Sequence, residues 1–371
     1  MKVGILTHYN VYNMGAQLQM ISLEAYLKEL GHEVRILTYE KNFDFMEGEK
    51  ERNSASWRAL PFYIKHYLFE KGAGLTLFNY RKVKAINRSI SAHDHAPYDN
   101  SGCDVIVIGS DEVFSIDVGL NPMMYGHGLG NVPAIAYAPA FGRATEDSLR
   151  KHGCYELVRD GLTNMFELSA RDAHTQEMIK SMTGREVPLV CDPVLLYDGR
   201  AFKTPVKPIG KPYLLVYAYD SNMTDKNEIK AIRAYAEKHG LITVSAGTYH
   251  RWCDRNIVCG PLEWYEYFRN AACVVTDTFH GSVVSMKNHC NVAVFIRKSI
   301  NAFKLSSLLE VTGMEARRLR EITEAELEKV LFAPIDYAET DKRIDKLAHD
   351  SGAYLKNALE RAENGEHKQA N

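Results

Sequence analysis

Apolar positions along the chain alternate between two periods. Val3–Leu6 is a short apolar run and predicts a strand, followed by a turn-rich loop over Tyr9–Gly15. Leu18, Ile21, Leu23, Tyr26, Leu27 and Leu30 recur at helical spacing through Ala16–Leu30, and Gly31 stops that helix. Val34–Tyr39 predicts a second strand, completing a β-loop-α-β unit, the building block of a parallel sheet. Further strands are expected at Val105–Ile108, Ala134–Ala138, Phe166–Ala170 and Val187–Val190, each short and bounded by turn residues. The proline-rich segment Thr204–Pro212 reads as a linker.

A second series then begins. Strands are expected at Tyr213–Tyr217, Ile242–Ser245, Cys273–Val275 and Val292–Ile296. Helices are expected over Lys226–His239, Leu262–Asn270, from Gly281 and over Lys304–Leu309. Glu324–Leu331 and Ala338–Glu363 read as helices with polar faces. The pattern predicts an α/β protein of two Rossmann-like domains, 1–203 and 204–337, with a C-terminal helix over 338–371 returning to the first. A helical insertion is expected at about 41–101. The 371 residues suit this, since roughly 150 residues make one domain.

Composition narrows the class. With 46% apolar and 25% charged residues the chain is neither disordered nor fibrous. A net charge of −2 gives no global attraction to nucleic acid, so an anionic ligand needs a local cluster of cations. The aromatic, partly basic stretch Trp57–Phe69 is expected to be a helical layer packed on the sheet, with peripheral membrane contact as the alternative. Seven scattered cysteines form no C-x-x-C pair and no zinc spacing, and read as free thiols in a reducing compartment. Val3–Leu6 is too short for a signal sequence and no apolar run approaches 18 residues, so a cytoplasmic protein is expected.

In open parallel sheets, ligands bind beyond the carboxyl ends of strands. There the sequence offers Asn13 and Gly15 after the first strand, Asp111 after Val105–Ile108, and Arg171 after Phe166–Ala170. In the second half it offers His280, Gly281 and Ser282 after Cys273–Val275, and Arg297 and Lys298 after Val292–Ile296. His280 stands between a strand and a helix start, where backbone N–H groups favour an anion and an imidazole can deliver a proton. The plain alternative is a loop histidine holding carbonyls. Arg171 offers a planar fork to a carboxylate or phosphate, or an ion pair to Asp172. Asp111 suits a substrate hydroxyl or a helix cap. Gly126–Gly130 precedes a strand and makes a poor dinucleotide fingerprint, while His93 and His95 read as exposed loop residues.

Four blocks in order resemble the polysaccharide pyruvyl transferase family. They are Asn13-Met14-Gly15-Ala16-Gln17-Leu18-Gln19, Gly109-Ser110-Asp111-Glu112-Val113-Phe114, Ser169-Ala170-Arg171-Asp172 with Cys191-Asp192-Pro193-Val194-Leu195-Leu196, and Val275-Thr276-Asp277-Thr278-Phe279-His280-Gly281-Ser282. The resemblance implies a GT-B-like pair of domains with a cleft between them. It implies transfer of a pyruvyl group from phosphoenolpyruvate, as co-substrate, to hydroxyls of a sugar or lipid-linked oligosaccharide, with no metal or other cofactor required. By motif, His280 matches the catalytic histidine and Arg171 a donor-binding arginine. Lys304 stands where many members have an arginine, and Thr278 where many have another. Gly281, Ser282 and Arg297 are expected to complete the donor cradle. Asn13, Gly15 and Asp111 are expected on the acceptor side. A nucleotide-sugar glycosyltransferase and a non-catalytic glycan-binding member are the alternative readings.

Overall fold

A computed structural model of the chain describes residues 1–40, 72–117, 119–297 and 302–368. The Trp57–Phe69 stretch, Lys298 and much of the expected 41–101 insertion lie outside the described residues.

The first half contains β1 (Lys2–Leu6), α1 (Met14–Glu29), β2 (Glu33–Thr38), α2 (Ala73–Ile90), β3 (His95–Pro97), β4 (Val105–Ile108), β5 (Ala134–Ala136), β6 (Glu167–Leu168), α3 (Ala173–Thr183) and α4 (Pro193–Leu196). Its six strands lie in the order β3-β2-β1-β4-β5-β6. The second half contains β7 (Tyr213–Tyr217), β8 (Ile242–Ala246), β9 (Arg255–Ile257), α5 (Pro261–Arg269), β10 (Cys273–Thr276), α6 (Phe279–Lys287), β11 (Val292–Phe295), α7 (Ala302–Thr312) and β12 (Arg318–Leu319). Its six strands lie in the order β12-β11-β10-β7-β8-β9, the same doubly wound order read from the other edge. Every strand pair is parallel. The strand order reverses between β1 and β4 in one sheet and between β7 and β10 in the other, and a ligand crevice forms at such points.

The central strands are fully buried apolar runs, as a sheet covered on both faces requires. α1 is buried almost all round because it lies between its own sheet, α4 and the second half's α5. Met14 and Leu18 of α1 share one apolar cluster with Leu215, Tyr217 and Trp264 of the second half. The long helix α8 (Tyr337–Glu363) crosses back to the first half. There Ser351 Oγ accepts the Cys191 N–H at 2.9 Å, and the Tyr354 hydroxyl donates to the Ala136 carbonyl at 3.3 Å.

Two expectations need correction. Val187–Val190 forms no strand and touches the sheet only through a bridge between Ala170 and Leu189, because Pro188 has no N–H to continue a ladder. The 41–101 segment is not wholly helical, since His95–Pro97 supplies the edge strand β3. All seven cysteines are buried and free. Among the described residues no helix is long and apolar enough to cross a membrane.

Candidate functional site

Each sequence block has a local structural cause. Asn13 caps α1, its Oδ1 accepting the Gly15 and Ala16 N–H groups at 2.9 and 3.2 Å. Gln17 then holds the preceding loop by donating to the Tyr9 and Val11 carbonyls. Gln19 reaches Thr7 Oγ1 through its NH2 and accepts the Ser110 N–H through its carbonyl, tying the loop after β1 to the loop after β4. That second loop carries Asp111, held at φ 74°, a left-handed conformation that costs a non-glycine residue strain.

The third block supplies two carboxylates with split duties. Asp172 caps α3, its Oδ1 accepting the Thr175 N–H at 2.8 Å. Asp192 caps α4 through Oδ1, with Pro193 at the first helical position. Its other oxygen, Oδ2, lies 3.2 Å from Arg171 Nη1 and 3.5 Å from His280 Nε2. Arg171 Nη1 also reaches Asp111 Oδ1 at 3.4 Å.

The fourth block brings the histidine. α6 begins at Phe279 rather than Gly281, capped by Thr278: its Oγ1 accepts the Gly281 N–H at 3.0 Å and places His280 in the first turn. A Cβ on Gly281 would lie 2.3 Å from Thr276 Oγ1, so only glycine lets the helix start so close to β10. A Cβ on Gly15 would lie 2.2 Å from His280 Nδ1. The imidazole is thus wedged against the start of α1, with Nε2 buried and lacking a well-formed hydrogen bond.

Lys304 of α7 forms an ion pair with Glu112 of the first half. Tyr219, after β7, interacts with the Asn13 side chain. Phe279 lies under the Arg171 guanidinium, 5.3 Å from its centre. A cavity of about 190 Å³ opens between Arg171, Asp192, Phe279 and Lys304, walled by Leu195 and Leu308. His280, Arg171, Lys304, Gly15, Asn13 and Asp111 therefore gather across one cleft at the two switch points.

The remaining expected donor residues are spent elsewhere. Arg297 binds Asp277 through Nε at 2.5 Å and Glu228 through its two terminal nitrogens at 3.2 and 3.1 Å. The fork that could hold a phosphate is filled by carboxylates on the far side of β10. The Ser282 hydroxyl is buried and donates to the Thr278 carbonyl at 2.9 Å, while the Gly281 N–H is taken by the cap. Neither offers a free donor to a ligand.

Charge within the cluster is mutual. Burial alone would push the Asp192 carboxyl up, but His280 and Arg171 outweigh it and hold it below the usual carboxylate range. Asp111 behaves alike: burial opposes ionisation, and Arg171, His280, His8 and Lys304 more than offset it. Burial disfavours the Arg171 cation, yet Asp111 and Asp192 raise its affinity for the proton further. Asp277 differs, since burial lifts its carboxyl despite Arg297. Among the described residues no group of three or more His, Cys, Asp or Glu side chains is arranged to hold a metal ion.

The family model described as polysaccharide pyruvyl transferase matches residues 13–299. The chain belongs to that family. The matched span runs from the Asn13 cap past the Arg297 ion pairs, so it includes every residue of the cluster except Lys304. Curated proteins give no match. Among solved structures, S. aureus MnaA in complex with UDP is similar at a TM-score of 0.52 and 12% identity, covering 98% of this chain and 97% of that one. Glycyrrhiza uralensis UGT73P12, solved with glycyrrhetinic acid 3-O-monoglucuronide, is similar at 0.50 and 11% identity, covering 100% and 97%. These likenesses show the fold alone, which is the two-domain GT-B arrangement.

Within the family frame, residues to which sequence reasoning gave no role are part of the site. Asp192 carried a visible signal, an Asp-Pro pair opening a helix, but that pair alone signals only a cap. Glu112, Tyr219 and Phe279 reach the cluster through packing between the halves, which no local pattern encodes.

Proposed function

We propose that this chain is a cytoplasmic pyruvyl transferase of cell-surface polysaccharide or glycoconjugate synthesis, moving the three-carbon unit of phosphoenolpyruvate onto two hydroxyls of a sugar as a ketal. What carries the reading is that Arg171 and Lys304 line one small cavity, and that His280 shares with Arg171 the carboxylate Asp192 of the cavity wall. A guanidinium and an ammonium suit a carboxylate and a phosphate, and the imidazole stands where a proton donor is needed.

In this reading the His280 imidazole delivers a proton to the methylene carbon of the donor as a sugar oxygen bonds to the neighbouring carbon. The second hydroxyl then closes the ketal while the bond from that carbon to the phosphate oxygen breaks. One hydroxyl proton replaces the proton given by His280 and the other leaves with phosphate. Asp192 keeps the imidazole oriented, its Oδ2 lying 3.5 Å from Nε2. Gly15 and Asn13 shape the acceptor side.

The test uses phosphate release from phosphoenolpyruvate with a panel of sugar acceptors, with UDP-glucose as a rival donor. Wild type should release phosphate, and His280→Ala should be slower by a factor of about 10² or more. Unchanged release in His280→Ala, or sugar transfer from UDP-glucose instead, overturns the reading.

A further inference from the structure

A second cavity, of about 660 Å³, lies where α2, the linker and the end of β9 meet. Its rim is cationic. Arg81, Lys84 and Arg88 lie three and four residues apart along α2, a spacing that puts them on one helix face. Lys207 faces them from the linker. α2 holds four basic residues and no carboxylate, and 203–211 holds three lysines and no carboxylate, in a chain of net charge −2. Among the described residues none of the four rim cations is in an ion pair. Elsewhere on the surface such pairs are common, as Lys180 with Glu186 at 2.7 Å and Arg343 with Glu339 at 2.8 Å show. Among the described lining residues the single carboxylate, Glu263, already accepts the Gly260 N–H at 2.7 Å.

Cations converging on a concave groove suit a compact polyanion better than a flat charged surface. The wall between them is apolar, from Val206, Ile257 and Tyr267. Ile257 ends β9, and β9 lies three strands from β10, after which His280 follows. At ~4.8 Å per strand, three strands put the end of β9 about 14 Å from the end of β10 across the sheet. A sugar bearing a phosphate or diphosphate ester spans such a gap.

We propose that Arg81, Lys84, Arg88 and Lys207 form an anchoring subsite for a phosphate or diphosphate ester carried by the acceptor. The anion chemistry stands on the groove alone; that the anion belongs to a sugar acceptor rests on the pyruvyl-transfer reading.

The experiment titrates inorganic pyrophosphate calorimetrically into the full chain, with excess phosphoenolpyruvate present. Wild type should bind one equivalent, more weakly as salt is raised. Lys84→Glu/Arg88→Glu on one wall and Lys207→Glu on the other should each weaken binding by about tenfold or more while the folded melting point is kept. With a phosphorylated sugar as acceptor, the same variants should raise acceptor KM without changing kcat or the KM for phosphoenolpyruvate. No pyrophosphate binding, or binding that both variants retain, overturns the subsite. So does binding only to phosphatidylglycerol vesicles, which would make the patch a membrane surface. Pyrophosphate binding lost in the variants, in a chain that transfers pyruvyl groups to nothing, sinks the transfer reading and leaves the anion site standing. Efficient transfer to neutral sugars with no pyrophosphate binding does the reverse.

Discussion

Gly15 and His280 meet across the cleft with no room for a methyl group between them. α1 cannot retreat, because its other faces are packed in the apolar cluster common to both halves. Gly15→Ala should therefore displace the imidazole rather than α1. A stability loss of about 1–3 kcal/mol is expected from overpacking. Turnover should fall by a factor of about 10² or more, because a reacting group has moved. Thermal melts and initial rates check both numbers; a variant equal to wild type in each would show that the two residues do not touch.

Asp192 makes acid stability the readout. Its carboxyl is held below the ordinary 3.8 by His280 and Arg171 against the effect of burial. A group depressed in the folded state contributes stability that is complete above its unfolded value and disappears as pH falls through its folded one. Asp192→Asn should thus lose about 2–4 kcal/mol at neutral pH, leaving Arg171 without one of its two carboxylates. Urea midpoints should bring variant and wild type together only below about pH 3.8. A gap that stays constant down to pH 2 would remove this ion pair from the account.

Lys304 and Arg297 were both candidates for the donor, and the geometry separates them. Lys304→Met should raise the KM for phosphoenolpyruvate about 10-fold or more, as loss of a charge-assisted contact does. Arg297→Met should leave that KM within about twofold and lower the melting point instead, since it strands Asp277 and Glu228. Equal KM effects would return Arg297 to the donor cradle.

Glu112 competes with the donor for Lys304. Arg171 and Lys304 face Asp111, Asp192 and Glu112, two cations to three carboxylates, so the cluster is not cationic. Removing one negative charge by Glu112→Gln should lower the KM for phosphoenolpyruvate several-fold, by about 1 kcal/mol of binding. Isothermal titration with the donor alone checks this, and weaker binding would mean that Glu112 positions Lys304 productively.

The strands that make the crevice were plain in the sequence because buried parallel strands are continuous apolar runs, as at Val105–Ile108 and Tyr213–Tyr217. The edges were not. β9 and β12 are short and carry Arg255 and Arg318, the charged, abbreviated form that edge strands take. α3 escaped notice because its cap, Asp172, reads as a charge and its Thr and Ser residues are indifferent helix formers. At the site, Lys304 was legible only through the family resemblance, while His280 and Arg171 were legible because strand ends concentrate ligand chemistry. Arg297 shares that position, and only the partners brought by folding, Asp277 and Glu228, tell it apart.

The sides of α1 serve both halves, and α8 straps them a second time. A hinge would have to tear that seam. The halves should accordingly melt as one cooperative unit, giving a single calorimetric transition, and substrates must be admitted by side-chain movement at the rim rather than by a yawning of the molecule.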